Sequence, residues 1–132
     1  MRAQDMKASS EQAEQETLFE WIRWMAPHEP ALAVAIHIPN EGKRSRAAGA
    51  ALKRAGLQPG APDVFIPCPA GPYHGLFIEM KYGKNKPTGA QMRYLDNAAT
   101  LGYKTAVCYS ADRAIRVITE YLSLRKGKTN DH

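Results

Sequence analysis

Apolar positions along this chain follow two different spacings, which predict helices in some segments and strands in others. Helical spacing of apolar side chains occurs in three segments, residues 10–25, 88–101 and 111–124. Short apolar runs typical of buried strands occupy four segments, residues 33–38, 64–66, 76–78 and 105–109. A small helix over about residues 45–55 completes the pattern. The predicted order is α-β-α-β-β-α-β-α, which indicates an α/β domain with a central mixed sheet flanked by helices.

Turn and capping residues separate these segments. Ser10 is the expected N-cap of the first helix, and Gly102 follows residues 88–101 where a C-cap glycine belongs. The proline- and glycine-rich residues 67–75 are typical of a surface loop, so we expect the strands on either side of this loop to pair as a hairpin.

Length and composition predict one folded domain. At 132 residues, of which 44% are hydrophobic and 23% charged, the chain suits a single core. We expect residues 10–124 to form this domain, residues 1–9 to be disordered and residues 125–132 to be a flexible tail. The formal net charge of +5 permits a polyanionic partner such as DNA without requiring one.

Membrane and disulfide-rich classes do not fit the sequence. No apolar run approaches the length that crosses a bilayer, and the N-terminal segment lacks the apolar centre of a secretion signal. We therefore expect a cytoplasmic protein with no membrane partner. Cys68 and Cys108 stand alone, which favours two reduced thiols over a disulfide or a zinc site.

Two acidic residues and a lysine are the main candidates for chemistry. Asp63 begins the second predicted strand, and Glu79 and Lys81 follow the apolar run of the third. Side chains alternate along a strand, so Glu79 and Lys81 share one face, where Asp63 can join them from the neighbouring strand. Two carboxylates with a backbone carbonyl, such as that of Met80, suit Mg²⁺ or Mn²⁺. The ordinary alternatives are a turn aspartate, a solvated glutamate and a surface lysine.

The order of several short motifs resembles the VRR-NUC (virus-type replication-repair nuclease) domain of the PD-(D/E)xK nuclease superfamily. The resemblance is carried by Pro39-Asn40, Gly60-Ala61-Pro62-Asp63, Glu79-Met80-Lys81 and Gln91, behind a helix with Glu-Gln pairs. It implies a restriction-endonuclease-like core and a metal-dependent DNA endonuclease, often one that acts on branched DNA such as four-way junctions. Its short stand-alone members imply a phage-like homodimer, working in the cytoplasm of a bacterial or phage-infected cell.

The resemblance also implies two further site residues. An acidic residue on the first helix completes the family's site, and both Glu11 and Glu14 are candidates here. We prefer Glu14, because it lies in line with apolar residues on the inward face of that helix. For either residue, the alternative is a favourable charge near a helix N-terminus. Gln91 starts its predicted helix, where its side chain can face the scissile phosphate or simply face solvent.

Basic and polar residues form two clusters next to the predicted site. Asn40, Lys43 and Arg44 follow the first predicted strand, and Lys84 and Lys86 follow the third. Such clusters are often only solvated surface. Beside a carboxylate site that must admit DNA, they are candidates to contact phosphates without reading sequence.

The combined pattern predicts hydrolysis of phosphodiester bonds by activated water, without a covalent intermediate. The metal ligands would be Asp63, Glu79 and the Met80 carbonyl. Lys81 would orient the nucleophile. The two alternative functions are a non-catalytic nucleic-acid-binding module and a sequence-specific restriction-type nuclease. Paired carboxylates argue against the first, because a pure binder gains nothing from them. The small size argues against the second, because no additional recognition domain is evident.

Overall fold

The computed structural model describes residues 3–39 and 46–125, with side chains from residue 11 onward, as a four-stranded sheet with helices on both faces. The elements in these ranges are α1 (Ala3–Met25), α2 (Pro30–Ala33), β1 (Ile36–His37), α3 (Arg46–Arg54), β2 (Val64–Ile66), β3 (Leu76–Met80), α4 (Gly89–Thr100), β4 (Lys104–Cys108) and α5 (Ala111–Leu122). Within the described ranges, no helix combines the length and apolar character needed to cross a membrane.

The sheet has the order β1-β2-β3-β4 and mixes antiparallel and parallel pairs. β1 is antiparallel to β2, β2 and β3 form the predicted hairpin, and β3 is parallel to β4. A parallel neighbour requires a crossover connection, which α4 provides. The predicted α/β class with a mixed central sheet is therefore confirmed, and α2 is an additional element.

α1 and α5 cover one face of the sheet and form the main hydrophobic core. Leu18 and Ile22, four residues apart on α1, are 0% and 3% exposed. They belong to one cluster with Ile78 of β3 and Ile118 of α5, both fully buried. Burying a side chain of this size contributes about 1.5–3 kcal/mol. This packing sets the position of α1 relative to the sheet.

α4 lies over the opposite face, where the core is smaller and aromatic. Phe65 and Phe77 pair across β2 and β3 and stack with ring centroids 4.4 Å apart. Tyr94 of α4 meets Phe77 edge-on at 5.6 Å, and Leu95 is buried in the same cluster. Because side chains alternate along β3, Glu79 projects on this face, two residues beyond Phe77.

The first strand is much shorter than predicted, and the prediction of a buried strand over residues 33–38 is wrong for most of its length. α2 includes the first of these residues, and β1 is only Ile36–His37. Pro30 lies in the first turn of α2, and the Glu29 side chain caps that helix. β1 then pairs only with β2, and Ile36 is 49% exposed. An edge strand has one neighbour, so an apolar run alone did not guarantee burial.

Both ends of the domain extend beyond the predicted bounds. α1 begins at Ala3 rather than after Ser10, so its first turns lie within the predicted disordered segment, residues 1–9. Arg125, at the start of the predicted tail, donates two hydrogen bonds to the Glu29 carboxylate, at 2.5 and 2.9 Å. Residues 126–132 of that tail lie outside the described residues.

Candidate active site

The predicted carboxylates and the lysine meet in one cavity of about 680 Å³. The lining residues come from α1, from the loop before β2, from the end of β3 and from the start of α4: Glu11, Gln12, Gln15, Glu16, Asp63, Glu79, Lys81 and Gln91. Four of these side chains are acidic and one is basic. Such a cavity attracts cations and, by itself, repels a polyanion.

Asp63 lies one residue before β2 rather than inside a strand. Its Oδ2 accepts the Met80 N–H at 2.8 Å, and its backbone carbonyl accepts the Ile38 N–H at 2.8 Å. The residue is therefore held from both sides, by β3 through the side chain and by the segment after β1 through the backbone. These contacts orient a carboxylate at the point where the β2 ladder begins.

Gly60 brings the loop that carries Asp63 against the start of α4. Its φ of +83° lies in the left-handed region, and a Cβ atom there would lie 2.4 Å from the Ala90 carbonyl oxygen. Only glycine permits this approach. Since Ala90 is next to Gln91, the same contact holds the Asp63 loop and Gln91 together.

Glu79 is buried, with 3% of its surface exposed. Burial and the nearby Asp63 carboxylate raise the pKa of Glu79 from 4.5 to about 7, although the Lys81 ammonium opposes the rise. Its Oε2 lies 3.5 Å from Lys81 Nζ. Its Oε1 is buried without a hydrogen-bond partner among the described residues. Leaving such an atom unpaired costs about 1–3 kcal/mol, so this oxygen is available to accept a ligand.

The oxygen atoms around Asp63 and Glu79 fit a hard divalent cation. The Met80 peptide lies beside Asp63, because its N–H binds that carboxylate. The N–H and C=O of one strand residue point toward the same neighbour, so the Met80 carbonyl faces the Asp63 side. In the part of the chain that the structure describes, no group of three or more His, Cys, Asp or Glu side chains could hold a metal ion. Mg²⁺ does not need such a group, because it keeps several waters and binds through one or two carboxylates plus substrate phosphates.

Glu14, the preferred acidic residue on α1, does not line the cavity. Its Oε1 accepts the Ala111 N–H at 2.6 Å, at the start of α5. Glu11 lines the cavity instead. Leu18 and Ile22 mark the inward stripe of α1, and Glu11 lies on that stripe two turns earlier, whereas Glu14 lies on the flank toward α5. The partly buried apolar residues of that flank made Glu14 look more central than it is.

Gln91 lines the cavity and also caps α4. Its backbone N–H donates to Thr88 Oγ1 at 3.2 Å, and its side-chain Oε1 accepts the Thr88 N–H at 2.8 Å. This reciprocal capping box fixes the side chain at the first turn of the helix. Because the oxygen is engaged, the amide Nε2 is the group of Gln91 that can donate to a ligand.

Further polar residues of α1 line the cavity, and sequence reasoning did not identify them. Gln12 donates to Glu16 at 3.0 Å, and Gln15 lies within 3.2 Å of the His37 ring. Gln15 is four residues after Glu11, on the stripe that continues to Leu18 and Ile22. That helical spacing was the available signal.

The predicted phosphate-contacting residues divide between described and undescribed parts of the chain. Asn40, Lys43 and Arg44 lie outside the described residues. Lys84 and Lys86 are exposed on the loop after β3. The Tyr109 hydroxyl donates to the carbonyl of Asn85 at 2.9 Å, which ties this loop to the residue after β4.

Two comparisons with known proteins, one with family models and one with solved structures, both find the VRR-NUC domain. The family model described as the VRR-NUC domain matches residues 5–112. A solved structure described as a VRR_NUC domain protein superimposes with a TM-score of 0.74 and 30% sequence identity. The alignment covers 88% of this chain and 90% of that one. No curated protein sequence gives a significant match.

Proposed function

This chain belongs to the VRR-NUC family, nucleases of the PD-(D/E)xK type with a restriction-endonuclease-like core, and on that premise we propose a divalent-metal-dependent endonuclease that cleaves branched DNA. The observation that carries the proposal is the buried Oε1 of Glu79, which has no partner among the described residues. The carboxylate to which it belongs is close enough to Asp63 for the two to influence each other's charge. A carboxylate pair of this kind stays charged inside a protein when a cation neutralises it.

Asp63, Glu79 and the Met80 carbonyl would hold Mg²⁺ or Mn²⁺. When bound there, a divalent cation acidifies water and withdraws charge from the scissile phosphate. The chain's own contribution is orientation. Asp63 is fixed by the Met80 N–H at 2.8 Å, and Glu79 by its burial and by Lys81 at 3.5 Å.

Three further side chains complete the site. The Lys81 ammonium orients the attacking water and offsets the charge that develops on the phosphate in the transition state. The Gln91 amide donates to a phosphate oxygen from the first turn of α4. Glu11, which lines the cavity where Glu14 does not, is the acidic residue of α1 that we assign to the site.

Branched DNA is the proposed substrate because, in the described residues, an acidic cavity and the exposed Lys84 and Lys86 belong to one small domain, which suits recognition of DNA shape rather than sequence. Lys84 and Lys86, with Asn40, Lys43 and Arg44, contact phosphates at positions that carry no sequence information. A four-way junction has two-fold symmetry, and resolving it requires paired cuts. A homodimer with C2 symmetry supplies two sites for those cuts.

The test is a cleavage assay on labelled linear duplex, flap and four-way junction DNA of matched sequence, with Mg²⁺, Mn²⁺ or chelator. We expect cleavage that requires metal and favours the branched substrates. Light scattering with and without junction DNA measures the expected dimer.

Each alternative function has its own outcome in this assay. Binding of DNA without cleavage in either metal would support the non-catalytic module. Cleavage of linear duplex at one defined sequence would support the restriction-type enzyme.

A further inference from the structure

His37 is the residue next to the proposed site that the proposed chemistry leaves unexplained. It lies on β1, opposite Val64, and its ring is half-buried. Its Nδ1 lies 2.9 Å from the backbone carbonyl oxygen of Asp63. The same oxygen accepts the Ile38 N–H at 2.8 Å. The Asp63 carbonyl thus receives two donors, which matches its two lone pairs.

This contact determines the tautomer of His37. A carbonyl oxygen only accepts hydrogen bonds, so Nδ1 must carry the proton and Nε2 must present its lone pair when the ring is neutral. The Gln15 amide nitrogen lies 3.2 Å from Nδ1 and 3.5 Å from Nε2. Since Nδ1 already donates, Nε2 is the ring atom that can accept from Gln15.

The ring is held by α1 on its other side. Gln15 and Phe19 are four residues apart, so they are neighbours on the helix surface. The Phe19 ring meets the His37 ring edge-on, with centroids 6.3 Å apart and planes at 73°. His37 therefore connects α1 to the backbone of Asp63, at a point where β1 is only two residues long and lies at the edge of the sheet.

We infer that His37 is a positioning residue for the Asp63 carboxylate, and that Gln15 holds the His37 ring in the tautomer that this role requires. This inference rests on the proposed function, in which Asp63 is a metal ligand. A carboxylate can bind a cation tightly only when its own orientation is set by the residues behind it. The Ile38 N–H and the His37 N–H both bind the carbonyl oxygen of Asp63. Together they fix the direction of this carbonyl and so the backbone from which the Asp63 carboxylate projects.

A matched pair of substitutions isolates the hydrogen bond. His37→Asn keeps a donor nitrogen attached to Cγ, where histidine has Nδ1, whereas His37→Leu puts a methyl group at that position. We expect His37→Leu to weaken Mn²⁺ binding about tenfold or more, the usual scale for losing a residue that orients a metal ligand. His37→Asn should recover most of the affinity. The melting temperatures of the two variants without metal should agree within a few degrees.

Mn²⁺ binding, followed by calorimetry without DNA, is the primary measurement, and cleavage at saturating Mn²⁺ is the second. The same change at an exposed histidine outside the cavity, His28→Leu, is the control and should leave both unchanged. Equal Mn²⁺ affinity in His37→Leu and the wild-type protein would overturn the inference. An equal loss in His37→Asn and His37→Leu would also overturn it, because the effect would then come from the ring and not from its donor.

One further variant, Asp63→Ala, separates this inference from the function on which it rests. If the wild-type protein and Asp63→Ala bind Mn²⁺ equally, the proposed metal site fails. If Asp63→Ala loses binding while His37→Leu keeps it, only the positioning role fails.

The role of Gln15 predicts that Gln15→Leu weakens Mn²⁺ binding on its own and adds little to His37→Leu, because both act through one ring. Additive losses would contradict that part.

Discussion

The two faces of β3 bury their side chains for different reasons. Ile78 is 0% exposed and lies in the apolar cluster that α1 and α5 build on one face. Glu79, the next residue, is 3% exposed and points to the opposite face, with Asp63 and Lys81. The same strand therefore places an apolar core residue and an ionisable residue with a raised pKa next to each other at nearly equal burial.

This difference shows how the fold separates stability from chemistry. On the Ile78 face, every removal of surface from water is favourable. On the Glu79 face, burial of a carboxylate is unfavourable. It persists because the apolar side chains on the other face of β3 pack in the main core and hold the strand in place. Substitutions at the two positions should therefore have opposite consequences for folding and for cleavage.

The largest expected effect is on cleavage. Asp63→Ala removes a proposed metal ligand and should lower the cleavage rate at least a thousandfold, about 4 kcal/mol in activation free energy. DNA binding should hold or strengthen, because a negative charge near phosphate is lost. Single-turnover cleavage and filter binding measure the two effects.

The matched control for this prediction is Asp96→Ala, which changes an exposed aspartate of α4 outside the cavity. It should cleave at the wild-type rate. Normal cleavage by Asp63→Ala would remove the distinction between the two faces.

The next effect is on folding. Ile78→Ala should lower the free energy of unfolding by about 2–5 kcal/mol, because it leaves a cavity in the main core. Urea titration followed by fluorescence measures the change. Under conditions where the variant is still folded, cleavage should remain within a few-fold of wild type. Loss of cleavage without loss of stability would show that the two faces are not separable at this strand.

Lys81→Met keeps the length and apolar bulk of the side chain but removes its charge. We expect cleavage to fall about a hundredfold, the scale of losing one preorganised electrostatic contact. Metal affinity should rise or hold, because a cation beside Glu79 opposes the binding of a second cation. Single-turnover kinetics and calorimetry measure these terms. Much weaker metal binding would mean that Lys81 acts mainly by holding Glu79 in place.

The raised pKa of Glu79 predicts that stability without metal depends on pH. Its pKa is about 7 when folded and 4.5 as the ordinary value, so its contribution is fully present below pH 4.5 and is lost as pH rises through 7. In chelator, the protein should lose about 1–3 kcal/mol of stability between pH 5 and pH 8 from this group. Cys108 and Tyr121 titrate well above this window, because burial raises the pKa of each, to about 11 and about 12.

Thermal melts of the wild-type protein and Glu79→Gln across this range measure the contribution of that group. Glu79→Gln should be more stable than wild type at pH 8 and should lose most of the pH dependence. Mg²⁺ should restore wild-type stability at pH 8, since it neutralises the same carboxylate. Parallel pH profiles for the two proteins would contradict the assignment.

The smallest effect concerns the loop after β3. Changing Lys84 and Lys86 together to alanine should weaken DNA binding similarly for all sequences and reduce the slope of log affinity against log salt by about 1–2. Arg116→Ala, an exposed basic residue on α5, is the control. An unchanged salt slope would mean that Lys84 and Lys86 are ordinary solvated surface residues that do not contact phosphates.

Several features of the site were predictable because they depend on short stretches of chain. The two-residue spacing of Glu79 and Lys81 on a strand ensured that both would share a face. The Phe77 and Ile78 run predicted a buried strand, and the structure confirms it. The proline- and glycine-rich loop predicted a hairpin, and it brings β2 beside β3.

Other features depended on contacts between distant segments. The choice between Glu11 and Glu14 required the angle at which α1 packs on the sheet, because both lie within one turn of each other. Glu14 is engaged by Ala111, 97 residues away, and no local pattern indicates that partner. The length of β1 likewise depended on its place at the sheet edge, where only β2 pairs with it.

The sequence by itself determined the α/β class, the hairpin and the motifs that resemble the VRR-NUC domain, because periodicity and turn chemistry act over a few residues. Only the tertiary structure decided which α1 side chains line the cavity, that Glu79 keeps an oxygen without a partner among the described residues, and that His37 binds the Asp63 carbonyl. The physical reason is that burial, pKa and hydrogen-bond partners depend on which surfaces meet. Those surfaces are brought together by packing across the whole core.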